Sequence, residues 1–356
     1  MSSQKSSAKM NKLVLPRSVL SLRYSTAIFF LLTATYAPPT AEALFSYNTC
    51  VNEEGISSKA TVSSFTANQF YNICPESLSS TAPLSQPICG DGSAFSFYFS
   101  KPTQKKENRD KILIEFLGGG ACWDADTCGQ QSDSLAISET WNAFVGYSCS
   151  ETQAVMSSDG KSTSFLCAGQ VGEVDFTEYN TIIVPYCTQD VHMGDQFMAY
   201  DGEGVYHHGA HNVNSVLQWI YVNFPNPSHI ALTGCSAGAT SLPIVYDLIG
   251  KHYNSFITGG RSTSISVIMD SAVYLTPQYF LSNSIENWNP RTMMNLVNFN
   301  YEKWQNDETF STKLWDHVLQ RGWEKDKWGF LSHTYVSVKL VNDTNLVNCM
   351  HVDELH

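Results

Sequence analysis

The stretch Gly234-Cys235-Ser236-Ala237-Gly238 constrains the fold of this chain more than any other segment. It reads G-x-S-x-G and follows residues 229–233, a short apolar run that fits a buried strand. Residues 239–249 come next and place their apolar side chains on one side of a helix. A strand, a tight turn with serine at its apex and a helix together form the setting of a nucleophile elbow. The pattern therefore predicts Ser236 as a nucleophile, against the alternative that common turn residues occur here by chance.

Short apolar runs alternate with helical patterns along the rest of the chain. Strands are predicted over residues 94–99, 112–116, 181–184 and 264–269, and a helix over 212–222. This alternation is typical of an α/β fold with a mainly parallel sheet and helices on both faces. Residues 44–92 are rich in Ser, Thr, Asn and Pro with three cysteines, and we expect them to form an irregular cover tied by disulfides.

The N-terminal segment has the order of a secretory signal peptide. A basic region precedes the apolar run 27–32, and the small-x-small sequence 41–43 provides a cleavage site after Ala43. We expect a signal peptide over 1–43, one domain over 44–356, and an extracellular or cell-wall location. The alternative is a signal anchor. Later segments lack a run long enough to span a bilayer, and a net charge of −12 argues against nucleic acid and anionic membranes as partners.

The ten cysteines are what an exported, oxidised protein would carry. Cys122 and Cys128 make the best disulfide pair, because they bracket one short loop. A zinc site is the competing interpretation of such residues. The cysteines are scattered and no C-x-x-C occurs, so we expect no metal.

A run of three glycines follows the predicted strand 112–116. Gly118, Gly119 and Gly120 would leave a buried strand at its carboxyl end, where α/β proteins place their sites. Such a run lets backbone amides turn towards the oxyanion of an acyl-transfer reaction. A plain flexible turn is the alternative, whereas a phosphate-binding loop is excluded because no G-K-[ST] follows.

Several motifs taken together resemble the pectin acetylesterase/Notum family of secreted carboxylesterases. The resemblance covers about residues 85–335 and includes the G-x-S-x-G elbow. Its other motifs are F-L-G-G-G-A-C-W from Phe116 with Cys128, C-G-D-G-S from Cys89, P-Y-C-T-Q-D-V-H-M-G from Pro185, H-H-G from His207 with Asn212, and D-S at Asp270.

The resemblance implies an α/β-hydrolase-like fold and ester hydrolysis by a Ser-His-Asp triad without a cofactor. Ser236 matches the nucleophile, and Cys122–Cys128 matches a disulfide beside the site. The oxyanion-hole donors match Gly120, Ala121 and the residue after the nucleophile, Ala237. His192 and His207 lie in the central motifs, where we expect structural histidines rather than catalytic ones.

The C-terminal part departs from the family pattern. Family members place their acidic triad residue where this chain has Val336, and the residues after about 335 resemble nothing in the family. Asp343 and His351 follow Ser236 in the right order, but the seven residues between them cannot hold the strand and helix that the fold needs there. We therefore expect an incomplete C-terminal part and weak or absent esterase activity.

The function that this sequence predicts is hydrolysis of acetyl esters on a pectin-like cell-wall or extracellular polysaccharide. The first alternative is a Notum-like enzyme that removes a lipid ester. The second is a catalytically dead or truncated family member that acts as a binding module. Stable membrane insertion after signal cleavage is not expected.

Overall fold

The apolar runs of the sequence form the centre of an eight-stranded sheet in the computed structural model. The residues that the structure describes are 45–50, 58–67, 69–78, 84, 86–102, 110–132, 135–137, 170–171, 174–175, 178–254, 263–270, 282, 285–307, 309–320 and 327–331. Their strands are β1 (Phe45–Thr49), β2 (Phe70–Ser77), β3 (Phe97–Ser100), β4 (Lys111–Phe116), β5 (Gln170–Val171), β6 (Val174–Asp175), β7 (Asn180–Val184), β8 (Gln196–Tyr200), β9 (Glu203–His207), β10 (His229–Cys235), β11 (Ser264–Asp270) and β12 (Lys327–Leu331).

The strand order in the large sheet is β1-β2-β3-β7-β4-β10-β11-β12. The five strands from β7 to β12 run parallel, and β1, β2 and β3 add an antiparallel edge. Because parallel neighbours end at the same edge of a sheet, the segments that follow β4, β7 and β10 lie together. The smaller pairs β5–β6 and β8–β9 are antiparallel.

Helices cover the face of the sheet that carries the larger core. They are α1 (Ala125–Gly129), α2 (Gly209–Asn223), α3 (Ala237–Thr240), α4 (Leu242–Tyr253), α5 (Arg291–Leu296), α6 (Tyr301–Trp304) and α7 (Phe310–Leu319), with 3₁₀ turns at Val62–Ser64 and Ile285–Trp288. Ile112, Ile114 and Phe116 of β4 pack in one cluster with Trp219 of α2 and Tyr246 of α4. Alternate side chains of β4 thus face this core, as a pleated strand requires.

This architecture confirms the α/β prediction. The sheet is mixed but mostly parallel, and the predicted inner strands are β4, β7, β10 and β11, each within two residues of its expected bounds. The predicted strand 94–99 corresponds to β3, which begins three residues later. The predicted helix 212–222 corresponds to α2, which begins three residues earlier.

The predicted irregular cover over residues 44–92 is wrong at β1 and β2. These segments are strands because alternate side chains, such as Phe45 and Ile73, reach the core and the polar ones between them do not. The expected disulfide ties are present as Cys50–Cys74 and Cys89–Cys187.

The predicted helix over residues 239–249 is also wrong in one respect, because it is split at Ser241. Pro243 lies in the first turn of α4, where it has no amide hydrogen to donate to the carbonyl of Ala239. The break makes α3 a single turn directly behind Ser236.

Some predictions lie outside the described residues. The signal peptide, the expected acid position at Val336 and the substitutes Asp343 and His351 are among them and stay predictions. In the part of the chain that is described, no helix combines the length and apolarity needed to cross a membrane.

Candidate active site

Ser236 stands at the turn between β10 and α3 in a rare backbone conformation. Its φ is 50° and its ψ is −121°, a combination that costs free energy for any residue with a side chain. The surrounding glycines make the turn sterically possible. A Cβ on Gly238 would lie 2.2 Å from the carbonyl oxygen of Phe116, and one on Gly234 would lie 2.8 Å from the carbonyl carbon of Gly238. The spacing of the G-x-S-x-G motif is therefore a packing requirement of this elbow.

The glycine run lies directly against the elbow. The parallel pairing of β4 with β10 sets Phe116 opposite Gly234, so that both strands end at the same edge. A Cβ on Gly118 would lie 2.4 Å from the oxygen of Cys235 and 3.2 Å from the Cβ of Ser236. The structure thus brings together the two segments that sequence reasoning assigned to one site.

Three backbone amides at this junction match the predicted oxyanion donors. The amides of Gly120, Ala121 and Ala237 donate to no acceptor among the residues that the structure describes. Gly120 is exposed and has a φ of 88°, which favours glycine, and Ala237 begins α3. Amides that have no acceptor of their own are available to donate to negative charge on a bound ligand.

A small disulfide loop follows the glycine run. Cys122 and Cys128 are bonded, with a Cα–Cα distance of 4.9 Å, and both are buried. Inside the loop α1 begins with a capping box, in which the Asp124 carboxylate accepts from the Thr127 amide and the Thr127 hydroxyl oxygen accepts from the Asp124 amide. The hydrogen bonds from Thr127 hold the pKa of the Asp124 carboxyl below its usual range. The segment that directly follows the candidate donors Gly120 and Ala121 is therefore anchored covalently and by hydrogen bonds.

Cys122, Cys128 and His207 present ligand atoms within 4.8 Å of one another. Metal binding by cysteine requires a thiolate, and both sulfur atoms are in the disulfide. This cluster therefore offers a metal only one ordinary ligand, the imidazole.

Two histidines of the central motifs are buried next to the site. The Nε2–H of His192 donates to the carbonyl of Leu117 at 2.8 Å. The Nδ1–H of His207 donates to the carbonyl of Thr188 at 2.9 Å, and its Nε2 accepts from the Tyr200 hydroxyl at 3.0 Å. Burial lowers the pKa of both imidazoles, so they are neutral at pH 7. These bonds fit the structural role that the sequence predicted for them.

A buried carboxylate joins the two segments that carry these histidines, the loop after β7 and the end of β9. Asp190 accepts from the Thr188 hydroxyl at 2.6 Å, from the Gly209 amide at 2.7 Å and from the amides of His192 and Gly194. A Cβ on either glycine would lie within 2.4 Å of an Asp190 carboxylate oxygen. Asp190, Gly194 and Gly209 therefore form one closely packed, hydrogen-bonded unit.

Sequence reasoning missed the polar side chains that hold the glycine loop, residues 117–122. Gln131 and Gln189 donate to its carbonyl groups, and the indole of Trp288 donates to the carbonyl of Cys122 at 2.6 Å. Trp288 is distant in sequence from the loop, so no local pattern could have identified it. Gln189 lies within the motif that begins at Pro185, but at a position that the family pattern leaves open.

Comparison with known proteins places these motifs in a family. The sequence profile described as Pectinacetylesterase matches residues 77–320. The palmitoleoyl-protein carboxylesterase NOTUM of Schmidtea mediterranea is 25% identical over 224 residues, which is 57% of this chain and 38% of that protein. The palmitoleoyl-protein carboxylesterase notum2 of Xenopus laevis is 25% identical over 195 residues, which is 54% of this chain and 35% of that protein. The match thus spans less than two-fifths of the length of either relative.

Proposed function

Because this chain belongs to the pectinacetylesterase family, we propose that it is a serine carboxylesterase with Ser236 as its nucleophile. The observation that carries the proposal is the strained elbow at Ser236, packed against a glycine loop whose Gly120 and Ala121 amides donate to no acceptor in the described part of the chain. Backbone strain of this kind persists only where the surrounding structure enforces it, and it concentrates at functional sites.

The proposed reaction follows from the positions of these groups. The Ser236 hydroxyl attacks the ester carbonyl, and a base takes its proton. The amides of Gly120, Ala121 and Ala237 bind the oxyanion of the tetrahedral intermediate. The alcohol leaves, and water then hydrolyses the acyl-serine in a second addition of the same kind.

We propose neither of the two buried histidines, His192 and His207, as the base. His192 and His207 already use ring nitrogens in hydrogen bonds to backbone carbonyls, and burial lowers the pKa of both imidazoles, which makes them poor acceptors of the serine proton. A histidine from elsewhere in the chain would have to approach Ser236.

The substrate class that we propose is an acetyl ester on an extracellular, pectin-like polysaccharide. The description of the matching family supports acetyl transfer to water. The names of the two relatives support a second candidate, a longer acyl chain carried by a protein. The two candidates differ in the length of acyl group that the site must hold.

A series of p-nitrophenyl esters separates these candidates. Under our proposal kcat/KM is highest for acetate, falls as the acyl chain lengthens, and is lost in Ser236→Ala; the protein also releases acetate from acetylated pectin. A maximum at eight or more carbons would favour the lipid-ester candidate. A folded protein without Ser236-dependent turnover of any ester would instead indicate a binding module. This alternative is suggested by Val336, which stands where the acidic triad residue is expected.

We also infer that the mature protein acts outside the cell. Support comes from the disulfides Cys50–Cys74, Cys89–Cys187 and Cys122–Cys128, since such bonds persist in oxidising compartments. The expected signal peptide over residues 1–43 completes the proposal. N-terminal sequencing of exported protein should begin at Leu44; a membrane-bound product that retains residues 1–43 would show a signal anchor.

A further inference from the structure

Side chains hold alternate carbonyl groups along the glycine loop. His192 donates to the oxygen of Leu117 at 2.8 Å, and the Nε2 of Gln189 donates to the oxygen of Gly119 at 3.3 Å. The Nε2 of Gln131 donates to the oxygen of Ala121 at 2.9 Å. The carbonyls at positions 117, 119 and 121 are thus each held by a different side chain.

Holding these carbonyls also orients the amides that follow them. In a planar trans peptide the C=O and the next N–H point in opposite directions. The bond from Gln189 to Gly119 therefore turns the Gly120 amide away from Gln189, which is fully buried, towards the exposed side of the loop. The next fixed peptide joins Ala121 to Cys122, where the Cys122 amide donates to the backbone oxygen of Gln189 at 3.0 Å.

A loop of glycines needs such restraint. Glycine occupies positive and negative φ almost equally, so a peptide plane between two glycines can turn over at little cost. A turned Gly119–Gly120 plane would aim a carbonyl oxygen, rather than an amide, towards the bound ester. Catalysis by preorganised donors requires that this orientation be fixed before the substrate arrives.

We propose that Gln189 and Gln131 are positioning residues for the glycine loop, which is the oxyanion-binding loop of the proposed reaction. Gln189 fixes the plane that presents the Gly120 amide, and Gln131 fixes the plane directly beyond the Ala121 amide. This assignment rests on the proposed esterase function. The backbone of Gln189 has a φ of 52° and that of its neighbour Val191 a φ of 50°, so the segment that carries the side chain is itself strained. The buried Oε1 atom of Gln131 has no partner among the described residues, so its side chain is held in place through its donor end alone.

The test compares Gln189→Met with Gln196→Met. Methionine keeps the side-chain volume and removes the donor. Gln196 is a matched control, because its Nε2 also donates to a backbone carbonyl at 3.3 Å but on the exposed strand β8. For Gln189→Met we expect kcat on p-nitrophenyl acetate to fall about 10- to 100-fold with KM changed less than about threefold. An alkylboronic acid, which forms a tetrahedral adduct on serine, should bind more weakly by a similar factor.

Gln196→Met should match the wild type in all three quantities. Gln189→His, which restores an Nε2–H at a similar reach, should recover part of the lost kcat. Unchanged kcat and boronate affinity in a folded Gln189→Met protein would overturn the assignment. If that variant does not fold, Gln131→Met decides, with the same pattern of lower kcat and nearly constant KM expected.

Crystal structures of the variants give a readout that needs no turnover. In Gln189→Met the Gly119 carbonyl should be turned over or occupy two orientations, whereas in Gln196→Met it should keep the wild-type orientation. A single wild-type orientation in Gln189→Met would contradict the positioning role. Absence of Ser236-dependent turnover in the wild type would contradict the proposed function alone, and the carbonyl orientation would still decide the role of the two glutamines.

Discussion

At the scale of single residues, the site depends on positions where any side chain beyond hydrogen would collide with backbone. A Cβ on Gly238 would meet the Phe116 oxygen, and one on Gly118 would meet the Cys235 oxygen, both at less than 2.5 Å. Backbone atoms in a sheet cannot yield as the end of a flexible side chain can. These glycines therefore set how closely the elbow and the oxyanion-binding loop approach.

Gly238→Ala should destabilise the protein strongly, because the new methyl group would force α3 away from the end of β4. We expect the free energy of unfolding to fall by about 3 kcal/mol or more, at the upper end of single-substitution effects. Gly129→Ala is the control, since a Cβ there would have no atom within 4 Å. It should leave stability unchanged or raise it by about 0.5 kcal/mol. Urea unfolding measures both, and equal stabilities for the two variants would refute the packing argument.

At the scale of elements, the Cys122–Cys128 loop joins the glycine run to α1 and restrains both. A second disulfide, Cys50–Cys74, links the end of β1 to β2 near one edge of the sheet, and these strands are five and four strands away from β10. Chain-entropy arguments give the larger loop the larger effect on stability. The two disulfides therefore allow an effect on stability to be separated from an effect on the site.

Replacing both Cys122 and Cys128 with serine should lower the free energy of unfolding by about 2–3 kcal/mol, and the Cys50/Cys74 pair by about 3–4 kcal/mol. Only the replacement of Cys122 and Cys128 should lower kcat, by about tenfold or more, because only their disulfide restrains the oxyanion-binding loop. Ester kinetics below the unfolding transition, together with urea unfolding, measure these effects. Equal kcat values for the two double variants would show that the disulfide beside the site has no part in positioning.

The elements also show how far sequence patterns reached. The inner strands were predicted because burial on both faces leaves a continuous apolar run. The outer strands β1 and β2 were missed because alternating polar side chains give them the composition of a loop. The β8–β9 hairpin was missed although its turn signal, Asp201-Gly202, is present and both residues have positive φ.

The candidate site likewise contains residues that local sequence patterns predict and residues that they do not. Ser236 and the glycines could be predicted because the turn and the close approach demand particular residues at fixed spacing. The contacts made by Gln131, Gln189 and Trp288 could not, because they depend on tertiary packing that no local pattern encodes.

At the scale of the whole molecule, buried histidines couple stability to pH. Burial lowers the pKa of four of them, namely His192, His207, His208 and His252. In the unfolded chain a histidine has a pKa of about 6.5. At pH values between this pKa and the lower pKa of the folded protein, the unfolded state binds more protons than the folded state does. Acidification in this range therefore favours unfolding.

Stability should therefore be at its full value above pH 7 and fall as the pH decreases from about 6.5 towards 5. Urea unfolding at pH 7.5 and pH 5.5 measures this loss. His208→Gln should reduce the difference between the two pH values, because one group that takes up a proton on unfolding is removed. A protein that is equally stable at both pH values, or more stable at pH 5.5, would contradict the inference that these imidazoles are buried in neutral form.

The most direct test of the account is covalent labelling of the proposed nucleophile by a fluorophosphonate. The account predicts a single adduct that maps to Ser236, no labelling of Ser236→Ala, and normal labelling of Ser241→Ala, which removes a nearby buried hydroxyl from the same stretch of chain. Digestion and mass spectrometry locate the adduct. An adduct on another residue, undiminished labelling of Ser236→Ala, or a folded wild-type protein that stays unlabelled would contradict the central claim that Ser236 is an activated nucleophile.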